Sequence, residues 1–425
     1  MGGAIVSQLD RHIINLVVEP IKAQFHLSDT QFGMLQGIAF GMFYTFMTLP
    51  IGMLADRAQR RAVIGVGVAL FGAFAMATGF ARSYLQLFLA RVGVGVGEAS
   101  VYPAGFSIIS DYFPPDRLGR AISLFTASSM IGSGLALVGG GVLIGWLEAL
   151  QITRPDLLFG MQPWQLAFVF VALPGMVLAP CFFLLREPIR RGLAAGGKAR
   201  LPARAVLQEL WRLRAFMALM LGGFSMVTTV SYAVSIWTPA FFIRVHHWSP
   251  TQVGVWVGAL TILCATPGGY VAGWLVDRLR ARGMTDAPLK VAAFGFVGVG
   301  ITGGLAPLMP TPALSLALLA PTLFFQSMPY ACAPTALQLI VPNQLRSQVS
   351  AIYLTFITLV GLCGGPVVVG LFTDRLFSGP ADVRYSLALV VAGAAPIMFI
   401  LVLLSCGPYR RLLARDATGQ SPQPA

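Results

Sequence analysis

The chain has 425 residues, of which 56% are apolar and only 11% charged, with a formal net charge of +13. A soluble core cannot dispose of that much apolar surface, so a water-soluble domain is excluded and an all-α polytopic membrane protein is expected. The basic residues are scattered between apolar runs instead of gathered on one soluble face, which argues against a nucleic-acid binder.

Apolar runs of membrane-spanning length fall near residues 1–19, 31–55, 62–82, 84–111, 118–147, 164–185, 215–243, 251–276, 289–309, 312–341, 347–373 and 385–407, which predicts twelve transmembrane helices in two sets of six. The first run carries Asp10 and Arg11 and opens at Met1 with no charged leader. It is barely long enough to span, so a longer native N-terminus is expected. The second run closes on Gly52-Met-Leu-Ala-Asp56-Arg57-Ala-Gln-Arg60-Arg61. This segment returns 221 positions later as Gly273-Trp-Leu-Val-Asp277-Arg278-Leu-Arg280-Ala-Arg282. Glycine permits close helix approach, and the arginines are expected in water beyond the hydrocarbon edge. The G-x-x-x-D-R-x-x-R-R pattern resembles the loop between the second and third helices of major facilitator superfamily transporters. The first copy is complete; the second is degenerate, with Ala281 at a basic position.

In the fourth run Arg91, Gly95, Glu98 and Tyr102 are spaced to share one helical face, while Gly93 and Gly97 form a G-x-x-x-G that can seat a neighbouring helix. The glycine run is not a phosphate loop: it lies inside a helix, and the chain contains no G-x-x-x-x-G-K-[ST], so an ATP-driven pump is not expected. The fifth run is rich in small residues (Gly132-Ser-Gly134, Gly139-Gly-Gly141, Gly145), as is the eleventh; both close packing and bending fit that composition. Between the halves, residues 187–214 form a basic linker whose later part suits a short amphipathic helix on the membrane surface. Pro115-Asp-Arg-Leu-Gly-Arg-Ala-Ile-Ser123 before the fifth helix is echoed by Pro342-Asn-Gln-Leu-Arg-Ser-Gln-Val-Ser350 before the eleventh.

The expected organisation is therefore an N-terminal six-helix bundle (1–186), the linker (187–214), a C-terminal six-helix bundle (215–408) and a tail (409–425), pseudo-symmetric about the membrane normal with a midplane site between them. Placing both termini in the cytoplasm puts 21 of the 29 Lys and Arg on that side, the positive-inside asymmetry, and a multi-pass inner-membrane protein is expected.

Four ionisable residues fall well inside predicted spans: Asp10, Arg11, Arg91 and Glu98. Each costs about 2.5–3.5 kcal/mol at the centre of an inserting helix, so each needs a reason to be there. Two readings are open. One is buried structural salt bridges, Asp10 with Arg91 or Arg11 with Glu98. The other makes Asp10 and Glu98 proton carriers and Arg11 and Arg91 the charges that hold an anionic head group. Tyr102 shares the Glu98 face. The second half offers polar, uncharged candidates: Thr229 and Tyr232, near Thr228 and Ser231, then Gln326 with Tyr330, and Thr355. One charged wall and one aromatic, apolar wall suit an amphiphile. His12, His246, His247 and the five cysteines have no metal-ligand spacing, so no metal, cofactor or disulfide is expected. No nucleophile and base stand at plausible spacing for an enzyme. A receptor or scaffold on the same fold has no need of titratable midplane groups.

Leu9-Asp10-Arg11, Arg91-x-Gly-x-Gly-x-Gly-Glu98-Ala99-Ser100, Asp111-x-Phe113, Arg120, Ser123-x-Phe125 and Gly132-Ser-Gly-Leu135 together resemble the Spinster branch of the major facilitator superfamily. The resemblance covers most of the first half at motif level and the second in general plan. It implies a monomeric, proton-linked transporter of lysolipids or sphingosine phosphate, with Asp10, Arg11, Arg91 and Glu98 matching the family's charged positions. Pro103-Ala104 departs from that pattern toward organic anion symporters such as those for hexuronates, which keeps sugar acids as the alternative substrate. Gly52, Asp56, Arg57, Arg60, Arg61, Asp277 and Arg278 are expected to form the conformational switch, with Asp111 and Arg120 latching the complete copy in the outward-open state.

Overall fold

The computed structural model describes residues 2–113, 115–188, 203–341, 345–377 and 379–417; the side chains of Asp56, 115, 116, 118–121, 123, 126, 127, 130, 203–207, 347 and 415–417 lie outside the described set. Helices run Gly2–Leu16 (α1), Val18–Phe25 (α2), Asp29–Met34 (α3), Phe43–Arg57 (α4), Arg60–Gly79 (α5), Tyr84–Glu98 (α6), Val101–Tyr112 (α7), Pro115–Thr153 (α8) and Pro163–Leu184 (α9). They continue as Ala203–Arg212 (α10), Arg214–His246 (α11), Pro250–Leu260 (α12), Thr266–Ala281 (α13), Ala287–Leu305 (α14), Pro312–Ile340 (α15), Arg346–Arg375 (α16) and Val383–Ala417 (α17). Two π-helical stretches, Leu35–Met42 and Thr261–Ala265, join α3 to α4 and α12 to α13. Among the described residues there is no strand, and eleven helices are long and apolar enough to cross a membrane. The expected first span is divided into α1 and α2 at Val17.

That division has a covalent cause. Pro20 has no N–H to give the Leu16 carbonyl, so the ladder stops one turn before it. The same rule breaks the fourth span: Pro103 leaves the Ala99 carbonyl without its partner, and the chain turns through Ala99 and Ser100 between α6 and α7. Capping boxes at Ser28 with Gln31 and at Ser249 with Gln252 start the second and eighth spans, fixing the short loops before them. The amphipathic helix expected in the linker is present as α10, with Arg212 donating to Glu209 (2.8 Å) and to the Ile340 carbonyl at the end of α15 (3.2 Å). Linker residues 189–202 and tail residues 418–425 lie outside the described residues.

Two compact units are present. The first comprises Met1–Ala195, Ala233–Ile262 and Leu362–Ser386; the second Gly196–Tyr232, Leu263–Gly361 and Leu387–Ala425. The first unit thus holds the leading six spans together with end portions of α11 and α16 and all of α12. Its core includes Val6, Val68, Phe71, Val101 and Phe125. α8 and α12 touch backbone to backbone: a Cβ on Gly254 would stand 2.3 Å from the Leu137 carbonyl oxygen and 2.9 Å from the Gly141 Cα. The glycines of the fifth span at this contact serve close approach. In the second unit, Phe224 packs edge-on against Phe296 and Tyr353, with ring centroids 5.7 and 6.2 Å away.

Candidate functional site

All four charges expected near mid-depth belong to the first unit, and they meet in two ion pairs. Arg91 Nη1 donates to Asp10 Oδ2 at 2.7 Å, and Arg11 Nε donates to Glu98 Oε1 at 2.5 Å. Helix spacing explains the arrangement: Asp10 and Arg11 are neighbours on α1 and point to different levels, while Arg91 and Glu98 stand two turns apart on one face of α6. The glycines of α6 let its neighbours come close enough. A Cβ on Gly95 would sit 2.7 Å from the Phe40 carbonyl oxygen in the π-helical stretch, and one on Gly97 would sit 2.5 Å from the Phe71 nitrogen of α5.

The pairs differ in access. Asp10 and Arg91 are each 1% exposed at the side chain, and Glu98 is fully buried, whereas Arg11 is 16% exposed. The Arg11 guanidinium lies over the rings of Phe40 (4.8 Å) and Tyr44 (4.5 Å), which stack on each other. Glu98 Oε1 also accepts from the Ser7 hydroxyl, while Glu98 Oε2 and Asp10 Oδ1 are buried without a hydrogen-bond partner. Each carboxylate therefore has one committed oxygen and one bare one. Tyr102 lies one turn beyond Glu98 and donates to Ser129 Oγ (2.9 Å); Gln8 of α1 donates to the same oxygen at 2.6 Å.

Among the candidates in the second unit, the Thr229 hydroxyl donates to the Ser225 carbonyl of its own helix at 2.9 Å, as membrane threonines commonly do. Tyr232 is partly exposed, Gln326 is buried, and Tyr330 is exposed beside Thr228 and Ser231.

The complete motif copy gathers around Arg60, which differs from the expectation that its arginines stay in water. Arg60 is buried: Nε donates to Glu187 Oε1 (2.8 Å), Nη2 to the Pro188 carbonyl (3.0 Å), and Nη1 to Ser107 Oγ (3.1 Å) and to Asp111. Burial is favourable because every face of the guanidinium finds an acceptor. Arg61 donates to the Phe183 and Leu185 carbonyls, and Arg57 is exposed. Burial alone would raise the Glu187 carboxyl, but donation from the Arg60 side chain and from the Arg61 and Arg60 backbone N–H groups prevails and holds it below the usual glutamate value. A Cβ added to Gly52 would meet the Pro103 side chain at ordinary contact distance, 3.6 Å. The Asp56 and Arg120 side chains lie outside the described residues. In the degenerate copy Asp277 and Arg278 are exposed, with Arg278 over the Trp274 ring.

Sequence reasoning missed a second charge cluster at the opposite end of the first unit. Arg244 of α11 forks onto both Asp29 oxygens at 2.8 Å each and gives Nε to Glu19 at 2.7 Å, and Lys22 also bonds Asp29. Asp374 of α16 accepts the backbone N–H groups of Asp29 (3.1 Å) and Thr30 (2.7 Å) at the start of α3. These bonds tie the ends of α11 and α16 to α2 and α3. Paired carboxylates on the face expected outside were the available signal.

A profile of the Major Facilitator Superfamily matches residues 1–366. Relatives include an "MFS-type efflux pump" of Mycolicibacterium smegmatis, 28% identical over 97% of this chain and 92% of its own length. A "Probable L-galactonate transporter" of Escherichia coli is 25% identical over 92% of this chain and 84% of its own. "Protein spinster homolog 1" of Xenopus tropicalis is 24% identical over 89% and 72%. Among solved structures, a bacterial homolog of the human lysosomal transporter Spinster, inward-facing and unoccupied, superposes with a TM-score of 0.77 at 24% identity, covering 100% of this chain and 97% of that one.

Proposed function

Because this chain belongs to the Major Facilitator Superfamily, as a Spinster-like membrane transporter and not an enzyme, we propose that it is a proton-coupled secondary active transporter of an amphiphilic, lipid-like substrate. The substrate class is the lysophospholipid or sphingosine-phosphate type, with an anionic or zwitterionic head, moved by alternating access. One observation carries this reading: buried Glu98 holds Arg11 with one oxygen and leaves the other bare, and Arg11 is the member of the four charges that reaches accessible space. A proton on Glu98 Oε2 neutralises the carboxylate and weakens its hold on the guanidinium, which can then engage an anionic head group. Asp10 is the second proton carrier; Arg91, deeper and sealed, sets its charge environment. Arg11, Arg91 and Tyr102 serve the head group, and Thr229, Tyr232, Gln326 and Tyr330 the remainder of the substrate.

In the same reading Gly52, Asp56, Arg57, Arg60, Arg61, Asp111 and Arg120, with Asp277 and Arg278, act as the switch; the Arg60 clamp on Asp111 and Glu187 supports it. The chain functions as a monomer in the cell (inner) membrane, organised as bundles 1–186 and 215–408, with both termini and the linker in the cytoplasm. The likeness to an L-galactonate transporter favours a second substrate reading, small organic anions such as sugar acids.

Uptake into proteoliposomes under an imposed pH gradient, with lysolipids, sphingosine phosphate and sugar acids offered in parallel, separates the two. Glu98→Gln is expected to lose gradient-driven accumulation; transport equal to the parent under the gradient defeats the proton-carrier role. Arg11→Ala is expected to weaken binding of the anionic substrate about tenfold or more, the worth of a charged hydrogen bond. Unchanged affinity removes the head-group role.

A further inference from the structure

Pro239 lies inside α11, and without an N–H it leaves the carbonyl of Ser235, four residues earlier, without its usual α-helical donor. Within a membrane-embedded bundle such an acceptor needs a donor from elsewhere. Asn15 of α1 supplies it, Nδ2 to the Ser235 oxygen, over a long 3.4 Å. Asn15 Oδ1 accepts from Gln36 Nε2 at 2.7 Å, and Gln36 Oε1 accepts from Arg91 Nη2 at 3.2 Å. Arg91 is in turn held by Asp10. Asp10, Asn15, Gln36 and Arg91 are all buried, and the whole chain of bonds lies in the first unit.

The chain has a direction. A guanidinium only donates, so the Gln36 carbonyl oxygen must face Arg91 and its amide nitrogen must face Asn15. The Asn15 oxygen is then committed to Gln36, and its nitrogen must point at Ser235. Removing the guanidinium removes the reason for either orientation. Gln36 also sits in the π-helical stretch Leu35–Met42, the kind of irregularity that collects at functional positions.

We propose that Gln36 and Asn15 are positioning residues that couple the Asp10–Arg91 ion pair to the carbonyl that Pro239 frees in α11. When the pair loosens, the amides lose their fixed orientation and the Ser235 carbonyl loses its donor. The portion of α11 from Ala233 onward, which carries Arg244, is then released from α1. The inference rests on Asp10 acting as a proton carrier. The charged groups around Asp10 are Arg91 and Glu98 from α6 and, on its own helix, Arg11, with His12 next in sequence.

Hydrogen–deuterium exchange of the α11 peptides on the full-length protein in nanodiscs, at a single pH, tests the coupling. Asp10→Asn, which mimics the protonated acid, is expected to raise exchange beyond Ser235 about tenfold, within the usual range of coupling between sites. In Gln36→Leu the exchange is expected to be raised already and to respond no further to Asp10→Asn. Gln36→Glu retains an acceptor for Arg91 but presents no donor to Asn15; it is the more conservative variant and is expected to behave like Gln36→Leu. A full Asp10→Asn response in either Gln36 variant overturns the proposal, because a merely structural Gln36 would leave that response intact. Absence of any response in the parent also overturns it. Proton-driven uptake separates the two readings: uptake abolished by Asp10→Asn while α11 stays protected leaves the proton-carrier reading standing without the relay. Uptake undiminished in Asp10→Asn ends the proton-carrier reading itself.

Discussion

Replacing Arg91 with Met is expected to be the most damaging single change in the midplane cluster, and the structure gives its size in parts. The guanidinium is sealed between Asp10 and Gln36. Removing it leaves the Asp10 carboxylate buried without its cation, a fault that costs about 3–5 kcal/mol when one partner of a buried pair is deleted. The Gln36 oxygen losing its donor adds a further contribution of about 1–3 kcal/mol. Adding Asp10→Asn removes the uncompensated charge, so the double variant is expected to recover most of the loss and retain only the Gln36 share. Thermal unfolding in detergent, followed by tryptophan fluorescence at one scan rate, reads the series, since such proteins commonly unfold irreversibly. A double variant as unstable as Arg91→Met alone would refute the argument that the stranded charge dominates.

Gly254→Ala forces a Cβ to within 2.3 Å of the Leu137 carbonyl oxygen, so α12 must shift from α8; a loss of about 1–3 kcal/mol is expected in the same unfolding assay, and a neutral result would refute backbone contact there. Glu187 titrates below its usual value in the folded protein, so its bond to Arg60 contributes above the unfolded value, about 4.3, and is lost as pH falls through the lower, folded value. The stability difference between parent and Glu187→Gln is therefore expected to persist at pH 5 and to close only in stronger acid. Closure between pH 7 and 5 would contradict the assigned direction.

How much of this was legible depends on the kind of signal. The ion pairs could be named in advance because charged residues inside apolar runs are few, and because α6 places Arg91 and Glu98 on one face by spacing alone. The breaks at Val17 and Ala99 were written in Pro20 and Pro103, yet hydropathy reads straight through a kink. Arg60 was misplaced because charge alone suggests water, while the acceptors that justify its burial, Asp111 and Glu187, lie 51 and 127 positions away. Arg244 and Asp29 are 215 positions apart, and no local pattern announces such a pairing. Gln36 and Asn15 carry no charge and interrupt no periodicity; only their bonds in three dimensions distinguish them.

The carbonyl freed by Pro239 has a consequence for how this protein can diverge. Its acceptor is a main-chain atom, so position 235 places no demand on its own side chain and is open to drift among descendants of this sequence. The demand falls instead on positions 15, 36 and 239. An apolar residue at 15 or 36 is tolerable only where 239 has ceased to be proline and the helix answers its own carbonyl. A survey of descendants should therefore find those three positions changing together, around a Ser235 whose identity carries no record of its use.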